Sequence, residues 1–295
     1  MNYVYFRLTV ILLAIVFDHL GELPESIHPV VWIGKLTSFL DKRTKNKRNK
    51  LVGFFNTFLI SLSFTVPVFF IPSKIVFILP SAIIASTMFS ISSLKKMVID
   101  TTERNLEVKR RYVSKLVSRD VDKLDKGELN SAAVETAGEN ITDSVIAPLF
   151  YYFLFGLPGI VFYRAINTQD AMIGYKTDEF LDYGWFAART DDFLNYLPSR
   201  ITGFLILLSE NKLKEINKLL KYKNIKLNPG WTIGAIAVAL NCRITKRGYY
   251  DINSTKSYPS EKDIVKSTKV IYKTSLIFIL ISFIFLYLLG VLRIV

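Results

Sequence analysis

The sequence predicts an all-α, polytopic integral membrane protein with about 4–5 membrane-embedded helices, plus amphipathic and re-entrant helices. Three observations carry that prediction. Hydrophobic residues make up 51% of the 295-residue chain, and the mean hydropathy is +0.30. Apolar runs close to the length of a membrane span recur between polar segments. The 38 Lys and Arg residues outnumber the 25 Asp and Glu residues, and they cluster beside the apolar runs. In a soluble chain, a net charge of +13 would suggest nucleic acid; beside apolar runs it fits the positive-inside pattern instead, so no nucleic-acid partner is expected. A lone cysteine, Cys242, excludes an internal disulfide and a CxxC zinc cluster. Residues 1–295 are read as a single membrane-embedded domain.

Val4 to Phe17 is apolar apart from Arg7 and Thr9. A full span takes about 20 residues, so this run is a span with a snorkelling Arg7 or an interfacial helix, retained as an anchor. Asp18 to Gly34 holds two prolines and two glycines and reads as a structured loop. Asp41 to Lys50 has six bases against one acid, which places Lys42–Lys50 in the cytoplasm. Leu51 to Ile71 and Ile75 to Leu94 form a transmembrane hairpin that turns at Pro72-Ser73. Lys95 to Asn130 has apolar residues every three to four positions, an amphipathic helix on the cytoplasmic side that breaks at Ser118-Arg119-Asp120.

Val145 to Tyr163 is apolar but contains Pro148, Gly156, Pro158 and Gly159, so a broken or re-entrant segment is expected. Ile201 to Leu208 is too short to cross. Asn211 to Lys226 is lysine-rich and cytoplasmic. Asn228-Pro229-Gly230-Trp231 opens a small-residue helix that runs to Leu240, and Gly248 to Asp251 is turn-like. Ser275 to Leu292 is the cleanest span, with Lys266, Lys269 and Lys273 before it.

The chemistry concentrates in charged residues beside the spans. Glu135, Glu139 and Asp143 fall at i, i+4 and i+8, one face of a helix. Like charges at that spacing repel by a few tenths of a kcal/mol unless a cation or a basic group sits among them. Arg164, Asn167 and Asp170 share another face, and Asp182, Arg189 and Asp192 loosely share a third. Arginine forks suit phosphate and carboxylate, and acids suit Mg²⁺ or an amine. The sequence has no G-x-x-x-x-G-K-[ST], no G-x-S-x-G and no H-E-x-x-H.

Five stretches together resemble the adenosylcobinamide-phosphate synthase family of cobalamin biosynthesis, the CobD/CbiB proteins. They are DHLGELPESIHPVVWIG from Asp18, ETAGENITDSVIAPLF from Glu135, YRAINTQDAMIGY from Tyr163, DYGWFAARTDDFLNYLPSR from Asp182 and NPGWTIGAIAVALNCR from Asn228. The resemblance implies a multi-pass enzyme of the cell membrane with its active site on the cytoplasmic side. It implies an ATP-dependent, Mg²⁺-requiring ligase that joins adenosylcobyric acid, a corrinoid, to aminopropanol or aminopropanol phosphate through an amide bond. It also implies a catalytic corner of Glu135, Glu139, Asn140 and Asp143, with Glu139 and Asp143 on the metal. Arg164, Asn167, Asp170, Arg189, Asp191 and Asp192 are expected to face that corner. His28, Trp32, Tyr175, Asp182, Trp185 and Arg200 complete the expected substrate-binding set. The lipid bilayer and other cobalamin-assembly enzymes are the further partners it implies.

Two rival classes stay open on the residues alone. A membrane transporter would use intramembrane charges, yet most charges here lie beside the spans and no internal repeat is visible. A non-catalytic membrane scaffold for corrinoid enzymes would tolerate neutralised acids.

Overall fold

A computed structural model describes residues 3–291. Five helical stretches are long and apolar enough to cross a membrane: residues 3–20, 50–69, 75–100, 126–173 and 261–291. The chain is a polytopic all-α protein, with one small β-hairpin among the described residues.

Helix α1 (Tyr3–Leu20) is 18 residues long, longer than its apolar run. Helix α2 (Pro29–Arg43) begins where a loop was expected to continue. Pro29 takes the first helical position, where a missing N–H costs nothing, so Trp32 and Gly34 are helical. Helix α3 (Lys50–Phe69) is capped by Asn49, whose side chain accepts from the Val52 N–H at 2.9 Å. The chain turns at Pro72-Ser73 as expected, but the return run is two helices, α4 (Ile78–Ser86) and α5 (Ile91–Asp100). At the break, the Ser86 and Thr87 hydroxyls donate back to the Ile83 and Ile84 carbonyls and compete with the helix ladder.

The amphipathic helix expected from Lys95 to the break at Ser118-Arg119-Asp120 is two helices. Helix α5 stops at Asp100, and α6 covers only Leu106–Ser114. The restart comes from Asn105, which accepts from the N–H groups of Glu107 at 3.0 Å and Val108 at 3.2 Å. Helix α7 (Lys126–Ile141) opens with a capping box between Asp125 and Glu128. A π-helical turn, Thr142–Ile146, leads into α8 (Ala147–Ile173). Pro148 has no N–H, and its ring crowds the carbonyl four residues back, at Ser144; a widened turn relieves that clash.

Helices α9 (Trp185–Leu194), α10 (Tyr196–Ser209), α11 (Ile216–Leu220) and α12 (Pro229–Leu240) follow. The expected turn at Gly248 joins β1 (Ile244–Lys246) to β2 (Tyr250–Ile252) in antiparallel register. Helix α13 (Glu261–Val291) takes in Lys266, Lys269 and Lys273, which were read as preceding the span. Leu292 lies outside the described residues.

The chain divides into two compact units. The first holds residues up to 90, residues 147–195 and residues from 281. In it α1 packs on α4, while α2, α3 and α9 pack on α8. Ile33 of α2, Ile60 of α3 and Ala165 of α8 form one apolar cluster of this unit. The second unit holds residues 91–146 and 196–280. There α12 packs on α10 and α7, and the β-hairpin packs on α7 through Ser131, whose hydroxyl accepts from the Thr245 N–H at 2.8 Å.

Within the first unit, α8 is broken, as its Pro and Gly content suggested, yet it continues to Ile173. Gly156 adopts φ 70° and ψ −152°, and this interrupts the bonds that Gly156 and Leu157 would donate to Tyr152 and Phe153. Arg7 donates instead: its Nη2 lies 2.5 Å from the Tyr152 carbonyl and 2.7 Å from that of Phe153. Arg7 is therefore not a snorkelling residue; it is 3% exposed and points inward. Tyr152 answers with its hydroxyl, donated to the Arg7 carbonyl at 2.8 Å. We expect Arg7→Leu to cost roughly 2–6 kcal/mol, since two carbonyls lose a donor at about 1–3 kcal/mol each. Thermal unfolding in detergent measures this. A snorkelling arginine would predict no loss.

Candidate functional site

A cavity of about 660 Å³ lies in the first unit. It is lined by the end of α1, the Gly21–His28 loop, α2, the α4–α5 break and one side chain of α8, Arg164. Asp18, Glu22 and Glu25 give it three carboxylates, against the Arg164 guanidinium. Leu79, Ile83 and Phe89 supply apolar wall. The volume sits in the range of small-molecule sites, and the lining joins apolar surface to a few polar groups.

His28 lines the same cavity and is held by the local sequence. The residue before a proline is restricted to extended backbone, and His28 has φ −83° and ψ 116°. It caps α2: its carbonyl accepts from the Trp32 N–H at 3.2 Å. Trp32 in turn closes the loop by donating its indole N–H to the Ser26 carbonyl at 2.9 Å. Burial lowers the His28 pKa and Arg164 lowers it further, against an opposing pull from Glu22. The imidazole is neutral at neutral pH.

Arg164 is positioned by a hydrogen-bond chain within the first unit. Its Nη1 donates to Asn167 Oδ1 at 3.2 Å. Asn167 donates to Asp191 Oδ1 at 3.2 Å, and Asn195 donates to Asp191 Oδ2 at 2.9 Å. The Tyr163 hydroxyl closes the chain, donating to Asn195 Oδ1 at 2.9 Å. Tyr151 reaches the same corner, donating to the Leu194 carbonyl at 2.9 Å. Asp170 and Asp192 add negative charge beside Asp191. Burial raises the pKa of both Asp191 and Asp192. The fold therefore disfavours the charged form of each more than the unfolded chain does.

The remaining predicted residues of this unit stand apart from the cavity lining. Tyr175 is exposed after the end of α8. Asp182 pairs with Lys50 at 3.6 Å, whose ammonium also lies 5.6 Å from the Trp185 ring. Asp182 precedes α9, so the face it was expected to share with Arg189 and Asp192 holds only that pair, 3.5 Å apart.

The acid ladder belongs to the second unit, and so does Arg200. Glu135 is 4% exposed; its Oε2 accepts from Arg119 at 2.8 Å, and its Oε1 accepts from the Tyr250 hydroxyl. Burial and that carboxylate raise the Tyr250 pKa well beyond the usual phenol range. Glu139 takes both oxygens to Lys226, at 2.9 and 3.2 Å. Asn140 is half-buried at the end of α7, and Asp143 lies in the π turn, so the ladder leaves α-helical geometry between Glu139 and Asp143. Arg200 stacks on Tyr196, 3.6 Å from its ring centroid, and donates to Asn228 at 2.8 Å. Among the described residues, no group of three or more His, Cys, Asp or Glu could hold a metal ion.

Sequence reasoning missed the partners. Asn195 stands four residues after Asp191 on one face, a signal that was there to be read. Arg119, Tyr250 and Lys226 come from distant segments, and nothing local marks them.

The family model described as "CobD/Cbib protein" matches residues 11–277. The chain belongs to the CobD/Cbib family. A protein of Methanocaldococcus jannaschii named "Probable cobalamin biosynthesis protein CobD" is 44% identical over 272 residues, 84% of this chain and 88% of that one. Proteins with the same name from Pyrococcus abyssi and Methanothermobacter thermautotrophicus are 42% and 39% identical; they cover 88% and 93% of this chain and 89% and 96% of their own. No solved structure matches. The CobD/Cbib match spans the cavity loop, the Arg164 chain and the acid ladder alike.

Two measurements follow from the environments of the acids. Glu135→Ala strands the Arg119 charge, whose side chain is only 16% exposed, and should cost about 3–5 kcal/mol. Glu139→Ala breaks a pair that is 30% exposed on both sides and should cost at most about 1 kcal/mol. Melting points of the two variants give the comparison. The second measurement is stability against pH. The folded pKa values of Asp191 and Asp192 are raised, so their contribution is full below the unfolded carboxylate pKa and is lost as pH rises through the folded values. These two acids should therefore pull the melting temperature down from acid towards neutral pH. Asp191→Asn should flatten that slope, and an unchanged slope would remove Asp191 as its source.

Proposed function

We propose that this CobD/Cbib protein works in cobalamin biosynthesis as an adenosylcobinamide-phosphate synthase. It joins the carboxylate of adenosylcobyric acid to the amine of aminopropanol or aminopropanol phosphate, an acid–amine ligase reaction. The names of its relatives support the pathway. The observation that carries the reaction is the cavity: one arginine for a carboxylate and three acids for an ammonium, around a small volume. Two oppositely charged reactants can be held side by side there, which turns a bimolecular encounter into an oriented one. About 660 Å³ suits the amine and the reacting arm of the acid, while the bulk of the corrinoid stays outside.

The Arg164 fork holds a carboxylate through two parallel donors, and Asn167 and Asp191 keep the fork from swinging. The apolar wall excludes water, which would compete with the amine for the activated acid. Mg²⁺ asks for one or two protein carboxylates, with waters and phosphate oxygens for the rest. Glu139 and Asp143 would supply that number of carboxylates, and Glu139 already holds one cationic group, the Lys226 ammonium. Mg²⁺ held there would offset the charge on phosphate oxygens, and ATP would be the phosphoryl donor of the reaction. Loop charge supports a cell-membrane location with the reaction on the cytoplasmic side.

Purified protein should form the amide from the corrinoid acid, the amine, ATP and Mg²⁺. Arg164→Ala should fold and lose roughly 10²–10³ in turnover. A folded Arg164→Ala variant with near wild-type rate would leave the cavity without a part in the reaction.

A further inference from the structure

The cavity lining carries charges of both signs, the carboxylates of Asp18, Glu22 and Glu25 and the guanidinium of Arg164. His28 belongs to the same lining and feels both, since Glu22 and Arg164 are the charged groups that act on its ring. Its Nδ1 is buried and has no hydrogen-bond partner among the described residues. Buried polar atoms are ordinarily paired, and each exception asks for an explanation. The imidazole is also pre-aimed, because Pro29 restricts its backbone and the Trp32 N–H holds its carbonyl. A fixed, unpartnered ring nitrogen in a lining that holds groups for an anion and groups for a cation is a site for moving a proton.

We propose that His28 is the base that takes a proton from the primary ammonium substrate, and this rests on the amide-forming reading above. An amine bound as ammonium has no lone pair with which to attack. The carboxylates Glu22 and Glu25 favour that cationic form and hold it in the cavity. One N–H proton passes to the imidazole. The freed lone pair forms the C–N bond with a carboxyl carbon activated as an acyl phosphate by a phosphoryl donor. The C–O bond to phosphate then breaks, its electron pair leaves on the phosphate oxygen, and the departing phosphate takes the second N–H proton that the new amide nitrogen must lose. The imidazolium returns its proton to solvent. Arg164 serves here by disfavouring a second positive charge on His28 before substrate arrives.

The test is the pH dependence of kcat/KM for amide formation by the full-length protein in detergent, with aminopropanol phosphate as the amine. Wild-type activity should fall as pH drops through a value below the ordinary histidine pKa of about 6.5. His28→Gln should lose roughly 10²–10⁴-fold at neutral pH. Its residual rate should climb with pH in step with the free-amine fraction, so the gap to wild type closes at high pH. If His28→Gln does not keep the wild-type melting point, His28→Asn takes its place in the same profile. A loss of the same fold at every pH would make His28 a positioning residue and overturn the proposal, as would no loss at all. A wild-type protein that forms no amide overturns the functional reading and the proton role with it. A wild type that forms amide beside a fully active His28→Gln overturns the proton role alone.

Discussion

A helix that breaks inside an apolar environment must find new partners for the backbone groups it releases. In this protein the break is Gly156 in α8, and the partner is a single arginine from α1. The arrangement is reciprocal, with guanidinium to carbonyl one way and phenol to carbonyl the other. It ties the opening segment of the first unit to its middle segment, residue 7 to residue 152. A Cβ at position 156 would meet the Tyr3 hydroxyl at 3.0 Å in a conformation that favours glycine, so the break and its cover are matched in shape. The straight part of α8 beyond the break then carries Arg164 and Asn167 into the first unit's polar corner.

Two kinds of polar group stand out, and their environments separate them. Glu135 is a buried partner of an arginine and a tyrosine; its removal is costly, which marks it as part of what holds α7 to its surroundings. Glu139 is half-exposed and held by one flexible lysine, an attachment that is cheap to exchange for a substrate group or a metal. Three acids that look equivalent as a ladder are therefore not equivalent as chemistry. The same holds for Asp191, whose two oxygens are both taken by asparagines, and Asp192, which meets Arg189 near solvent.

Much of the fold was legible because membrane spans depend on length and apolarity, which sequence carries directly. The hairpin turn at Pro72-Ser73 and the helix opened by Pro229 are local signals, and both stand where they were read. Where reading failed, a competing local interaction decided. Asn105 restarts a helix that periodicity alone would run straight through, and Pro29 begins one where two prolines suggested a loop. Strands of three residues are too short to show alternation, so only the turn between β1 and β2 was visible. Of the site, Arg164, Asn167 and Asp191 were named from the sequence and do form a chain. The cavity itself was not legible, because its lining comes from three separate stretches of sequence whose meeting depends on packing.

The π turn at Thr142–Ile146 has a consequence for everything that follows it on the same helix. A turn that spends an extra residue acts like a one-residue insertion in an otherwise regular rod. Each helical residue advances the side-chain direction by about 100°. Asp143 lies in that turn, so the stripe begun by Glu135 and Glu139 does not run on to it at even α-helical spacing. A polar ladder that a regular four-residue spacing draws as one stripe is in this way parted into a pair on α7 and a third acid on a differently wound turn.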